Sequence, residues 1–115
     1  MAVWLQTMLE EDPIRLEWDA GNEPKLGKHR VTRADVTSLL GGDVAFAGRI
    51  VEPAHPEPRW LLLGETAGRK LALVVTRRGD RLGPVTCRPM RRNERRLDEA
   101  DQAETESDAH SDAED

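Results

Sequence analysis

Five arginines lie close together near the end of the chain, within residues 88–96. The planar guanidinium group can bond two oxygens of one phosphate and stays charged, so it suits phosphate recognition and the stabilisation of a negatively charged transition state. Residues 69–97 contain ten basic side chains but only two acidic ones, Asp80 and Glu94. A surface of this kind favours a polyanionic ligand, and a solvated charged surface is the alternative interpretation.

Four side chains are candidates for a catalytic role. Arg88 ends the last predicted strand and could stabilise negative charge; alternatively, it forms an ion pair with Glu94 that holds the last helix in place. Arg69 and Arg77 begin and end the neighbouring strand, where they could flank a phosphate or be ordinary exposed residues. His29 could be a general acid or base, or could hold the junction before the next helix through a ring nitrogen.

The remaining polar candidates suggest binding rather than chemistry. Arg91, Arg92, Arg95 and Arg96 are expected to bind a nucleic-acid backbone or a protein partner. Cys87 is the only cysteine, and the three histidines show no ligand spacing with it, so we predict neither a metal site nor a cofactor. Trp18, Trp60 and Met90 are expected in the core, and Cys87 is expected to be an inert buried thiol.

The chain ends in an acidic stretch, residues 98–115, with nine acids and no Lys or Arg. Its composition predicts disorder. Two roles are open: a solubilising tail, or an internal competitor that mimics a polyanion near the arginines and lowers nonspecific binding of nucleic acid.

The patterns along the chain predict a small α+β domain. Residues 14–18 alternate as in a half-buried strand, and residues 20–28 form a weak, short helix at best. Thr32 and Asp35 fit a capping box for a helix that stops at Gly41-Gly42, with Val31 and Val36 at the staple positions.

The second half of the chain predicts an antiparallel sheet of about four strands. Residues 44–52 could be a strand, residues 53–58 are a loop, and three further strands are separated by turns at Ala67-Gly68 and at residues 78–80. Leu71, Leu73 and Val75 share one face of the middle strand, and both faces should be covered. A last helix is expected at about residues 91–100. The predicted domains are an N-terminal extension (1–12), a folded domain (13–97) and the acidic tail (98–115).

No apolar run reaches membrane length, and the beginning of the chain lacks a signal-peptide pattern. The sequence therefore predicts a cytoplasmic protein that does not bind membranes.

Several motifs, in order over residues 14–97, resemble the BrnT family of bacterial toxins. They are Trp18-Asp19, Asn22, Lys28-His29, Val31 and Asp35, followed by Arg88-Pro89-Met90 with Glu94-Arg95 on the last helix. The chain departs from the family at Arg30, where relatives usually have Gly, and at Asp98, where many have an aromatic residue. It also contains no Tyr, which removes a phenol as a proton donor.

This resemblance implies a RelE-like fold and a ribonuclease that cleaves RNA and inhibits translation. It also implies a BrnA-like ribbon-helix-helix antitoxin, with operator DNA bound only by the complex of toxin and antitoxin. At matching positions, Lys28 is assigned to RNA or partner binding, and Asp19, Asn22 and Glu94 to structural support.

Two functions from different classes are therefore open. The leading hypothesis is a toxin that acts as a metal-independent endoribonuclease, in which the 2′-hydroxyl of RNA is the nucleophile. The alternative is a non-catalytic interaction module of the same fold, bound to an antitoxin-like partner or to nucleic acid. A DNA-binding regulator acting alone is a poor third, because the sequence has no recognition-helix pattern.

Overall fold

The computed structural model of the chain describes residues 3–11, 13–18, 26–51 and 56–100. These residues form three helices and one antiparallel sheet of four strands, which confirms the predicted α+β class. The helices are α1 (Val3–Glu10), α2 (Arg33–Leu40) and α3 (residues 92–100). The strands are β1 (Ala45–Ile50), β2 (Arg59–Thr66), β3 (Arg69–Arg78) and β4 (Arg81–Pro89).

The sheet is the predicted meander, with the spatial order β1-β2-β3-β4 and antiparallel neighbours throughout. Ala67 and Gly68 join β2 to β3, and both have positive φ angles, 51° and 75°. This conformation is typical of the turn whose twist matches that of the flanking strands. The turn places Glu65 opposite Lys70 and Thr66 opposite Arg69, which fixes the face on which each base lies.

One face of the sheet forms the main core, against α1 and α2. Leu71, Leu73 and Val75 are fully buried on this face, as the alternation in β3 predicted. Gly64 of β2 allows α2 to approach closely, because a Cβ atom at this position would lie 2.9 Å from Cγ of Leu39. Any larger residue at position 64 would therefore push α2 away from the sheet.

Helix α2 begins as predicted. The Thr32 side chain accepts a hydrogen bond from the backbone N–H of Asp35, and the Asp35 carboxylate accepts one from the backbone N–H of Thr32. This reciprocal capping box satisfies two N–H groups that the first turn leaves without partners. Val31 and Val36 are buried at the staple positions, and Gly41 is the C-cap.

Helix α1 was not predicted. Its Leu5 and Met8 are buried in the core, and the ring of Trp4 packs edge-on against Trp60 with 4.8 Å between the ring centroids. Residues of the predicted N-terminal extension therefore contribute to the core of the domain.

The second face of the sheet carries α3. A small apolar cluster of Ala45, Leu63, Ala72 and Met90 lies on this side. The buried residues of α3 itself are polar. They are Glu94 and Asp98, which are four positions apart and therefore lie on one side of the helix. The last predicted helix is thus confirmed, and residues 98–100, which we assigned to the tail, are helical. Residues 101–115 lie outside the described part of the chain.

The predicted first strand is much shorter than expected. In residues 14–18 only Leu16 forms a bridge, a parallel one with Leu82 of β4. Two backbone hydrogen bonds accompany it: the N–H of Glu17 donates to the Leu82 carbonyl, and the N–H of Leu82 donates to the Arg15 carbonyl. The alternation is only partly visible: Arg15 is exposed, but Glu17 is half-buried like Ile14, Leu16 and Trp18. In the predicted weak helix of residues 20–28, residues 20–25 lie outside the described residues, 26–27 are helical and 28 lies in a turn. In the predicted 53–58 loop, residues 53–55 also lie outside them. Among the described residues, no helix is long and apolar enough to cross a membrane.

Candidate functional site

The bases that are clustered in the sequence lie at two opposite ends of the sheet. Arg69 and Lys70 begin β3 and Arg88 lies near the end of β4, so these three lie at the end from which α3 starts. We call this the basic end; it also includes the four arginines of residues 91–96. Arg77 lies eight residues further along β3, a separation of roughly 26 Å at about 3.3 Å per residue. A single phosphate therefore cannot contact both Arg69 and Arg77.

At the opposite end of the sheet, acidic or aromatic groups engage the bases. Arg15 pairs with Asp80 at 2.7 Å and with Glu11 at 3.1 Å. The Arg77 guanidinium lies over the ring of Trp4, 4.9 Å from its centroid, and its Nε–H donates to the Gly79 carbonyl. Arg77 thus helps to hold α1 against the sheet, and it lies too far from Arg69 for the two side chains to flank one phosphate.

Arg88 at the basic end forms a two-pronged ion pair with Glu94 of α3. Its Nη1 and Nη2 groups donate to the two carboxylate oxygens over 2.6 and 2.8 Å, and Nη1 also donates to the Pro89 carbonyl at 3.3 Å. The Glu94 side chain is 5% exposed and the Arg88 side chain 20% exposed. Glu94 also accepts the backbone N–H of Arg91 at 2.7 Å, so it caps the first turn of α3.

The pair fixes the ionisation of both groups. The hydrogen bonds from Arg88 hold the pKa of the Glu94 carboxyl below its usual value, against the opposing effect of burial. The Glu94 carboxylate in turn raises the pKa of the Arg88 guanidinium. This is the geometry of the alternative interpretation of Arg88, in which the side chain holds the last helix. Two of its five N–H groups still have no partner in the part of the chain that the structure describes.

Arg69 connects β3 to the loop before α2. Its Nη1 donates to the carbonyl of Arg30 at 2.9 Å and its Nη2 to the carbonyl of His29 at 2.7 Å. Arg30 has a positive φ of 56°, a backbone conformation that favours Gly. Both hydrogen bonds hold a backbone turn that is locally costly for a non-glycine residue. The Arg69 charge stays at the basic end, but much of its hydrogen-bonding capacity is used inside the protein.

Lys70 makes the second link between the sheet and α3. Its Nζ lies 3.6 Å from a carboxylate oxygen of Asp98 and 3.8 Å from one of Glu99. The Asp98 side chain is 7% exposed, so α3 provides Lys70 with a buried partner. These distances exceed those of good hydrogen bonds, so the Lys70 ammonium keeps donors for a further ligand.

The other arginines of the basic end point outwards. Arg91, Arg92, Arg95 and Arg96 are all exposed. None of their guanidinium groups makes a hydrogen bond or ion pair with another described residue. Of the five arginines that are close in sequence, one therefore attaches α3 to the sheet, and four remain accessible to a ligand.

An open pocket of about 400 Å³ lies at the basic end beside the β2–β3 turn. Its charged lining consists of Glu65, Arg69, Lys70 and Arg95, with Gly68 and Pro89 among the other lining residues. Three positive groups and one negative group thus surround a space wide enough for a phosphate. In this pocket an exposed arginine of α3 and the bases of β3 line a common space.

The structure brings together some of the predicted site residues and separates others. Arg69 and His29 are in contact through the His29 carbonyl, and Arg88 lies at the same end but on the opposite face, because it pairs with Ala72. The half-buried His29 and the exposed Lys28 lie in the turn before α2, and Asp19 and Asn22 lie outside the described residues. The predicted structural role of Glu94 fits its contacts with Arg88 and Arg91.

Cys87 is fully buried, and burial raises the pKa of its thiol to about 11. It is therefore a protonated, unreactive thiol at neutral pH. In the described ranges, no group of three or more His, Cys, Asp or Glu side chains is placed to hold a metal ion.

Lys70 and Glu65 both line the pocket, but neither was predicted from the sequence to have a functional role. The sequence does contain a pattern that predicts their proximity, because a turn at Ala67-Gly68 pairs Glu65 of β2 with Lys70 of β3. The contact of Lys70 with Asp98 is different, since it joins residues 28 positions apart and no local pattern indicates it.

A four-stranded sheet with helices on both faces and an arginine-rich end defines a small α+β domain suited to bind a polyanion. A family model described as the ribonuclease toxin BrnT of type II toxin–antitoxin systems matches residues 18–94, which include all four strands and α2. The chain therefore belongs to the BrnT family of ribonuclease toxins. Membership in a toxin–antitoxin family implies an antitoxin partner. No curated protein and no solved structure gave a significant match to the chain.

Proposed function

We propose that this protein is an endoribonuclease toxin that cleaves RNA through the RNA's own 2′-hydroxyl and thereby inhibits translation. The observation that carries the proposal is the family match over residues 18–94, combined with four outward arginines at the basic end. In this reaction the 2′-oxygen attacks the neighbouring phosphorus and the bond to the 5′-oxygen breaks. The products are a 2′,3′-cyclic phosphate and a 5′-hydroxyl end.

The protein's task in this reaction is to place the phosphate and to stabilise the added negative charge. Guanidinium groups can do both without a metal ion, and we propose that the protein works without one. Arg95, Lys70 and the two remaining N–H groups of Arg88 are among the available donors at the basic end, and Arg69 contributes its charge. His29 remains our candidate for proton transfer, because its backbone is held beside Arg69.

We further propose that the partner is a ribbon-helix-helix antitoxin of the BrnA type and that the complex, rather than the toxin alone, binds operator DNA. The exposed arginines of α3 are the surface we propose for this partner as well as for RNA. An antitoxin that covers the basic end would block RNA from the same groups.

One observation favours the second candidate function, a non-catalytic interaction module. Two of the four candidate catalytic side chains, Arg69 and Arg88, donate two and three of their five N–H groups to partners inside the protein, and a third, Arg77, lies at the opposite end of the sheet. Such a domain could bind RNA or an antitoxin through α3 and catalyse nothing.

The two functions are separated by induction in a bacterium and by cleavage with purified protein. We expect that inducing residues 1–115 alone arrests growth, lowers translation and fragments RNA, and that co-expression of the antitoxin restores growth. In vitro, EDTA should leave cleavage unchanged, and RNA with 2′-O-methyl groups should resist it. Normal growth and intact RNA at verified expression would instead support the interaction module. Loss of cleavage in EDTA would contradict metal independence alone.

A further inference from the structure

The pocket beside the β2–β3 turn combines features that the rest of the basic end lacks. It is concave, and it gathers bases from two elements, Arg69 and Lys70 from β3 and Arg95 from α3. The neighbouring exposed arginines of α3 do not line it. A concave site concentrates the field of its charges more than a convex helix surface does, so an anion should favour this position.

The three bases differ in what they can offer a ligand. The Arg95 guanidinium has no partner in the part of the chain that is described, so all its N–H groups can bind an anion. Lys70 is held only at 3.6 and 3.8 Å by Asp98 and Glu99, distances that leave its donors largely free. Arg69 donates to two carbonyls, so it is fixed in place and contributes mainly charge.

We propose that this pocket is a subsite for one phosphate group of a polyanion, bound by Arg95 and Lys70 as donors and by Arg69 as a fixed charge. The choice of RNA as the polyanion rests on the proposed function, whereas the subsite itself does not. Within α3, Arg95 then has a role different from that of its neighbours. It binds one defined phosphate, and they contribute a diffuse attraction to the backbone.

Three acids oppose binding at this subsite. Glu65 lines the pocket, and Asp98 and Glu99 lie beside Lys70, so all three lower the local positive charge. We therefore expect a moderate affinity, and removing the charge of Glu65 or Glu99 should strengthen the binding of phosphate. An acid at the opposite end of the sheet, such as Asp80, should have no such influence, because salt screens charges separated by more than about 10 Å.

The test measures the affinity of the full chain for a 2′-O-methyl RNA oligonucleotide, which binds but offers no free 2′-hydroxyl. At an ionic strength of about 0.1 M, we expect Arg95→Gln to weaken binding about tenfold, the effect of losing one charge-assisted contact. Arg92→Gln on the same helix should weaken it clearly less, and Arg81→Gln, which makes the same charge change in the β3–β4 turn, should leave it nearly unchanged. Equal losses for Arg95→Gln and Arg92→Gln would overturn the subsite, because they would indicate a diffuse surface.

Neutralising an acid of the pocket should have the opposite effect on the affinity for the oligonucleotide. Glu65→Gln should tighten binding about threefold, while Asp80→Asn should not change it; no gain from Glu65→Gln would also overturn the proposal. Inorganic phosphate should compete with the oligonucleotide if the pocket binds a single phosphate group, and it should compete poorly if the RNA backbone lies in a longer groove. This competition should be weaker in Arg95→Gln than in Arg81→Gln. Because the oligonucleotide lacks the nucleophile, these results do not depend on nuclease activity. A chain that binds as described but never cleaves RNA would refute only the proposed function.

Discussion

Replacing Arg88 by alanine tests whether this residue stabilises the fold, the reaction or both. The substitution leaves the Glu94 carboxylate, which is 5% exposed, without its two-pronged partner. Removing one member of a buried ion pair costs about 3–5 kcal/mol, and exposed pairs are worth about 1 kcal/mol or less. Because the Arg88 side chain is itself 20% exposed, we expect an intermediate loss of about 2–3 kcal/mol.

For a domain of this size, about 1 kcal/mol shifts the melting temperature by roughly 4–8 °C, so Arg88→Ala should lower it by roughly 8–24 °C. Thermal unfolding followed by circular dichroism measures this change. Arg92→Ala is the matched control, because it removes an exposed arginine of α3 and should change stability by less than about 0.5 kcal/mol. A double-mutant cycle with Glu94→Ala should give a coupling energy of about 2 kcal/mol.

Cleavage must be compared at a temperature where both proteins are fully folded. If Arg88 also stabilises the transition state, folded Arg88→Ala should cleave RNA at least about tenfold more slowly, which corresponds to about 1.4 kcal/mol. Full activity in the folded variant would restrict Arg88 to holding α3. A melting temperature within about 2 °C of the parent would refute the structural argument itself.

Three further predictions concern individual groups of the fold. The pKa of the Glu94 carboxyl lies below its usual 4.5 in the folded protein. The ion pair with Arg88 therefore stabilises the fold fully above about pH 4.5, and this contribution is lost as the pH falls through the pKa of Glu94 in the folded protein. The stability difference between the parent and Glu94→Gln should therefore shrink between about pH 6 and pH 3 in urea titrations, and a constant difference would contradict this assignment. The buried Cys87 thiol should react with an aromatic disulfide reagent at about pH 8 only after unfolding, so rapid reaction of the native protein would show that the site opens. Thr32→Ala should lower the free energy of unfolding by about 1 kcal/mol through loss of the capping box, whereas Thr37→Ala, outside the cap, should cost less.

The features that the sequence predicted well are those that depend on neighbouring residues. The capping box follows from Thr32 and Asp35 three positions apart, and the β2–β3 hairpin follows from the Ala67-Gly68 turn between two apolar runs. The burial of Leu71 and Leu73 follows from simple alternation. Each of these patterns involves residues within a few positions of one another, so local physical chemistry determines the outcome.

The features that could not be predicted depend on contacts between distant residues. The clamp of Arg69 on the carbonyls of His29 and Arg30 spans about 40 positions, and the faces of Arg69 and Arg88 depend on the register of three strands. Helix α1 is a different case. Leu5 and Met8 have helical spacing, but the short segment lacks a capping signal, so its docking onto Trp60 decides its structure.

The contacts of Asp98 and Glu99 change how the acidic stretch at the end of the chain can be tested. The first two acids of this stretch are structural partners of Lys70, and Asp98 is buried. A chain that ends at Leu97 would therefore lose part of the attachment of α3 together with the acids that follow. Ending the chain at Ala100 keeps both partners and removes only residues 101–115, for which the sequence predicts disorder.

If the tethered carboxylates compete with RNA for the basic end, the chain ending at Ala100 should bind the 2′-O-methyl oligonucleotide more tightly at low salt, and the gain should shrink as salt rises. Equal affinity of the two chains at low salt would leave only a solubilising role for residues 101–115.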